Sequence, residues 1–401
     1  YVDSSHKDFI HQSGVFIPKK DIINRKLVKT INIYPVLELD KLKPSCKQMV
    51  IDAQNGDVRK MLVVGQSLIY QANDFPKKPE LGIQFLNLVE KNNVNQTFSR
   101  SAKSIKGFLF YEGKVVPRDL EKARKLLDPL ANSGDQNAML VVAKIQLELS
   151  RNYEEVKPTL LKLAKNMNQE AMVLYAKICM RKEKESNMIN FEEALKFIER
   201  AAKRGFPEGL AYRALFYYNG FTGEVDFKKA REMSRLAYEK GNMTGAAIYA
   251  ECLVRGRGIE GSKDMSEGEL KLIIEKDIDE GIEIARQSSE SGNAKGMNTY
   301  GLFLNEGIGH LCRNRKKSSK LWEQSCKAGD AEGQYLYGNC LLSHNPEYGV
   351  EFDVKKGLEY IKESIEGGCL TAMTSYGLIL MQNIYSVKDT LVDKTKGPKM
   401  V

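Results

Sequence analysis

Apolar and small residues recur along most of this chain with the period of an α-helix, and the helices they predict come in pairs. The stretch Phe206 to Gly241 is the clearest copy: a helix, a glycine-bearing turn, a second helix and a closing glycine. Positions are counted here from the glycine that closes the preceding unit. Positions +4, +8, +9 and +12 of the first helix then share one face at about 100° per residue. In this copy they are Gly209, Arg213, Ala214 and Tyr217; in the next they are Gly245, Tyr249, Ala250 and Leu253. Second helices carry their own stripe, as in Ala194, Phe197, Ile198 and Ala201.

Three markers repeat with this pattern. A small residue lies inside each first helix, at Gly65, Gly107, Ala143, Ala176, Ala214, Ala250, Gly301, Gly338 and Gly377, spaced 33 to 51 residues apart. A period in this range predicts a solenoid of helical hairpins. A second small residue marks the second helix, at Gly82, Ala123, Ala194, Ala230, Gly281 and Gly357. Small residues on facing helices let two backbones approach closely. A third marker closes most units: Gly56, Gly134, Gly205, Gly241, Gly292, Gly329 and Gly368. Glycine there suits the left-handed residue that ends a helix. Met167 stands where one such glycine is expected.

These residues resemble the Sel1-like repeat family, helical hairpins related to tetratricopeptide repeats. The resemblance is carried by Ala247 to Gly258 with Ile259, by Lys229-Ala230 followed by Ala237 and Gly241, and by Ala201-Ala202-Lys203-Arg204-Gly205. Tyrosine replaces the family's leucine at Tyr175, Tyr249, Tyr300, Tyr337 and Tyr376. The resemblance implies an all-α fold, an α/α solenoid of about eight to nine hairpins wound as a right-handed superhelix. It also implies adaptor roles in multi-protein complexes, among them endoplasmic-reticulum degradation, signalling and cell-wall assemblies. One cysteine-rich branch of the family is linked to penicillin binding. This chain lacks its cysteine pairing, with Gly333 near where a partner for Cys326 would stand.

The repeat region is expected at 45–383. Residues 1–44 read as an N-terminal extension, cap or linker, with a short strand or extended arm at 27–37 broken by Pro35. The chain opens on Tyr1 rather than Met, which leaves room for an upstream segment. An insertion at about 257–279 reads either as a short amphipathic helix over Met265 to Lys276 or as an irregular turn. Residues 384–401 read as a polar tail.

Composition narrows the function classes. With 42% apolar and 28% charged residues, the chain of 401 folds rather than staying disordered. No apolar run is long enough to span a membrane. The net charge of +9 is spread along the chain and does not point to nucleic acid. Seven cysteines at irregular spacing read as core residues of a reducing compartment.

No catalytic chemistry is legible. Gly256 to Gly261 matches GxGxxG, but it follows a helix, where the repeat demands a turn. The four histidines, His6, His11, His310 and His344, form no zinc motif. No enzyme activity, cofactor, metal or small-molecule substrate is therefore expected. The partners expected are one or more proteins. Expected settings are the cytoplasm, with the cytoskeleton or the endoplasmic-reticulum lumen as alternatives. Alternatives to the adaptor are a subunit of a cytoskeletal or axonemal array and the regulatory region of a larger signalling protein such as a kinase fusion.

A solenoid presents an extended surface, and positions +6, +10 and +13 point away from the hairpin core. They nominate Phe108, Tyr111, Lys144, Lys177, Leu215, Tyr218, Glu251, Leu302, Asn305, Tyr335 and Asn339 as partner-binding residues, with Leu378 and Met381 continuing the series. Aromatic, aliphatic and amide groups together are what peptide grooves use. Burial by neighbouring helices is the competing reading. Arg313, Arg315, Lys316 and Lys317 form a basic cluster that could touch phosphate or acidic tails, or simply be a solvated helix start.

Overall fold

The computed structural model describes residues 42–91, 96–182, 189–221, 223–259, 261 and 265–382. The expected strand at 27–37 and the tail from 384 lie outside them. Among the described residues there are eighteen α-helices, one short 3-10 turn (Pro346–Tyr348) and no strand. The helices are α1 (Pro44–Gln54), α2 (Val58–Tyr70), α3 (Pro79–Lys91), α4 (Gln96–Glu112), α5 (Leu120–Asn132), α6 (Gln136–Leu149), α7 (Tyr153–Lys165), α8 (Gln169–Cys179) and α9 (Phe191–Lys203), followed by α10 (Pro207–Asn219), α11 (Phe227–Glu239), α12 (Met243–Val254), α13 (Glu267–Glu290), α14 (Ala294–Glu306), α15 (Arg315–Lys327), α16 (Ala331–Leu342), α17 (Val354–Glu366) and α18 (Leu370–Met381).

The chain divides into two compact units, Tyr1–Thr159 and Leu160–Val401. Within each, the helices other than α7 pack on their sequence neighbours, and each even-numbered helix also touches the next even-numbered one. The even helices therefore form an inner layer and the odd helices an outer one. In the first unit Phe85, Leu86, Val64 and Leu68 are fully buried. In the second, Phe216, Phe303 and Trp322 fill the space between layers.

The repeat's punctuation has a local cause. All seven closing glycines take positive φ, between +71° and +95°. In five of the seven units the next residue then caps the following helix through its side chain. Asp57, Asp135, Asn242, Asn293 and Asp330 each accept the backbone N–H three residues on. A cap of this kind contributes about 1 kcal/mol. Met167 holds the same left-handed geometry at φ +68° without being glycine, and Asn168 caps α8 behind it.

Inside the hairpins the small residues make close approach possible. A Cβ on Gly82 would lie 2.6 Å from the Gly65 carbonyl oxygen. A Cβ on Gly301 would strike the Trp322 indole, whose Nε1 donates to the Asn298 carbonyl. Tyr175, Tyr300, Tyr337 and Tyr376 are 5 to 7% exposed, so this tyrosine series is core.

The insertion is helical from Glu267, as one of the two expected forms has it, but not as a separate short helix. From Glu267 its residues lengthen α13 to 24 residues, started by a capping box between Ser266 and Glu269. Ile274 packs on the turn at Gly256, Ile278 on the turn at Gly309, and Asp277 pairs with Arg231 of α11 at 2.6 Å. These half-buried contacts over residues 274–278 make one continuous helix cheaper than a break.

Candidate functional site

All eleven residues nominated at +6, +10 and +13 are half-buried. Outer helices, turns and neighbouring inner helices share in covering them. Leu302 packs beside Trp322, Tyr335 shares a hydrogen bond with Ser375 at 2.9 Å, and Asn305 accepts from the Tyr348 hydroxyl at 3.2 Å. In the first unit, Phe108 and Tyr111 pack on the cluster around Leu127. Lys144 stands 5.3 Å from the Tyr111 ring. Leu378 and Met381 on α18 are 51% and 84% exposed.

In the second unit the charged members join a wider polar ladder. At about 100° per residue, positions +3, +7, +10 and +14 fall within about 60° of one another. An ion pair crosses between inner helices along this stripe wherever the charges are complementary. Lys177 of α8 meets Glu208 of α10 at 2.5 Å and the Tyr212 ring at 4.9 Å. Glu251 of α12 lies 3.9 Å from Lys295 of α14, which reaches Glu332 of α16 at 2.9 Å. Arg255 of α12 pairs with Glu306 of α14 at 3.0 Å. Asn298 donates to Asp330 at 2.7 Å and to Glu332 at 3.3 Å. Its own Oδ1 is buried without a protein partner.

Tyr218 closes the ladder at the turn edge. Its hydroxyl accepts from Arg257, whose guanidinium lies 4.8 Å from the ring centre, and Phe227 meets it edge-on at 5.5 Å. Burial, then the neighbouring Glu251 carboxylate, pushes its hydroxyl far above the ordinary tyrosine range.

The electrostatics are those of an enclosed but wet face. Burial alone would depress the Lys177 ammonium; Tyr212 and Glu208 outweigh it and hold the group above the usual lysine range. Lys295 is raised likewise, with Glu332 and Glu251 overcoming burial. Burial and then Glu332 raise the Asp330 carboxyl. Yet Lys177 keeps 37% and Glu332 35% of their side-chain surface. These groups are ringed by protein and still reach solvent.

Positions +6, +10 and +13 leave out Glu208, Tyr212, Lys295, Asp330 and Glu332; Asn298 stands at +6 after Gly292 but is not among the eleven nominated residues. A signal for the +3 members does exist in the sequence. The charge at +10 of one repeat is opposite to that at +3 of the next, as in Lys177 with Glu208 and Glu251 with Lys295.

The basic cluster starts α15 on the outer layer. Arg315 is bonded to Glu347 and lies 5.9 Å from the Tyr348 ring. Lys317 stands 5.4 Å from the Tyr300 ring. Arg313, Lys316 and Lys317 are exposed. Cys46, Cys179, Cys252, Cys326 and Cys340 are buried free thiols, while Cys312 is exposed. Among the described residues no three His, Cys, Asp or Glu side chains are grouped to hold a metal, and no helix is long and apolar enough to cross a membrane.

Comparison with family models finds the Sel1 repeat at residues 107–135, 186–206, 207–242, 294–330 and 331–369. No curated protein matches the chain in sequence. Among solved structures it is similar to a protective antigen of uropathogenic Escherichia coli with an SLR fold, at 17% identity and a TM-score of 0.46, covering 84% of this chain and 67% of that one. It is also similar to a Sel1 repeat protein from Oxalobacter formigenes, at 17% identity and a TM-score of 0.38, covering 90% and 99%. A third is an immunity protein from Pseudomonas aeruginosa, at 12% identity and a TM-score of 0.36, covering 58% and 83%.

Proposed function

Because this chain carries Sel1 repeats, we propose that it is a non-enzymatic scaffold or adaptor, and that its second unit holds a protein partner against the inner helices α8 to α16. Sel1 repeat proteins are generally protein-interaction scaffolds. The observation that supports the reading most is the charged and aromatic ladder itself. Burying charge on a face that only had to pack would be costly, and apolar residues would serve better. Lys177, Tyr218, Glu251, Lys295 and Glu332 instead keep paired, oriented hydrogen-bonding groups at the edge of water. Pre-ordered groups of this sort lose little entropy when an extended segment binds.

The test compares affinity-purified complexes of the full chain in three forms. One is wild type. One carries Lys177→Glu with Tyr218→Ala on the inner face. One carries Glu232→Lys with Lys320→Glu on exposed outer-layer positions. Circular dichroism checks that all three fold. Partners lost from the inner-face variant alone support the proposal. A full partner set at wild-type amounts on that variant sinks it.

A further inference from the structure

The second unit returns on itself at one place. Just past α8, the backbone N–H of Lys182 donates to the carbonyl of Glu366 in the last turn of α17, at 3.1 Å. Beside it, a Cβ on Gly368 would collide with the Met180 carbonyl oxygen and lie 3.6 Å from the Arg181 Cα. Helices α9 to α16 lie between these two segments in the chain, so α8 to α17 complete one turn and close by backbone alone. Gly368 differs here from its counterparts. Gly241 and Gly292 close their repeats with φ of +79° and +81°, like the +88° of Gly368, but a Cβ on either would meet nothing within 4 Å. The conformation favours glycine at all three; the contact needs it only at Gly368.

The ladder side chains of α8 to α16 belong to that turn. Tyr212 on α10 feels the charge of Asp330, the residue that caps α16. Helices α12 and α14 stand between them in the inner layer. Access to the ladder therefore depends on whether the turn is shut.

We propose that the contact of Met180–Lys182 with Glu366–Gly368 is a latch that keeps this turn wound and limits entry to its inner face. The entry consequence rests on the scaffold reading; the latch itself does not. Gly368→Ala carries a steric clash together with the left-handed penalty, whereas Gly241→Ala carries the penalty only. Two readouts are followed in the full chain with Cys312→Ser: hydrogen exchange at the Lys182 amide, and N-ethylmaleimide labelling of Leu215→Cys on the inner stripe. Gly368→Ala should speed both by about tenfold or more, because local opening sets exchange and access. Gly241→Ala should leave both at the parent rate. Equal rates in the two variants, or an unprotected Lys182 amide in the parent, overturn the latch. Should Gly368→Ala fail to fold, Arg181→Cys joined to the native Cys369 by a short bismaleimide locks the contact instead. Leu215→Cys must then label more slowly than in the unlinked protein, and an unchanged rate overturns the proposal. No partner enters either readout, so failure here leaves the scaffold reading standing.

Discussion

Gly301 and Met167 show how single residues hold this fold, one by absence and one by tolerance. Gly301→Ala pushes a methyl into the Trp322 indole, which has no room to move at 3% exposure. Overpacking of this kind costs about 1–3 kcal/mol, to be read from chemical denaturation. Met167 holds φ +68° with a side chain that is 42% exposed, so less packing is lost on replacing it than at a buried methionine. Met167→Gly should raise stability by about 1 kcal/mol in the same assay. Asp330 makes a pH prediction. Burial and then Glu332 raise its carboxyl above the ordinary 3.8. A raised folded-state value favours the protonated form. Its contribution is therefore full below 3.8 and lost as the pH rises through the raised value. Asp330→Asn keeps a capping oxygen and removes that loss, so the fall in stability as pH rises above 3.8 should flatten.

At the scale of the element, hairpins were legible because each is specified several times over. Small residues fix the close approach, glycine fixes the end, and Asp or Asn fixes the next start. α13 was not legible in its length. The markers at Gly281 and Gly292 give its repeat core, but nothing local says that Ser266 begins the same helix. What joins them is tertiary: Ile274 on Gly256, Ile278 on Gly309 and Asp277 on Arg231. Period alone cannot see contacts of this kind. The two causes differ in size. Ser266→Ala should cost about 1 kcal/mol through the cap. Asp277→Ala should cost more, about 3 kcal/mol, because it strands Arg231, which is 19% exposed and already has one buried nitrogen without a partner. Thermal unfolding of both variants checks the order.

Over the whole molecule, repetition told more about architecture than about the site. Positions +6, +10 and +13 found Lys177, Glu251 and Tyr218, but as isolated residues. The ladder arises between repeats, where +10 of one inner helix meets +3 of the next, and that pairing depends on the packing of even helices. Asp330 was out of reach for the same reason: it looks like a cap until its neighbour is in place. The central claim is that partner binding uses the inner layer of the second unit. Site-specific photo-crosslinking tests it most directly. A photoreactive amino acid is placed in turn at Leu215 and Asn339 on the inner stripe, and at Glu232 and Lys320 on the outer layer, in the full chain under native conditions. The prediction is one and the same protein partner crosslinked from Leu215 and Asn339, and none from Glu232 or Lys320. Crosslinks arising from the outer positions alone would contradict it.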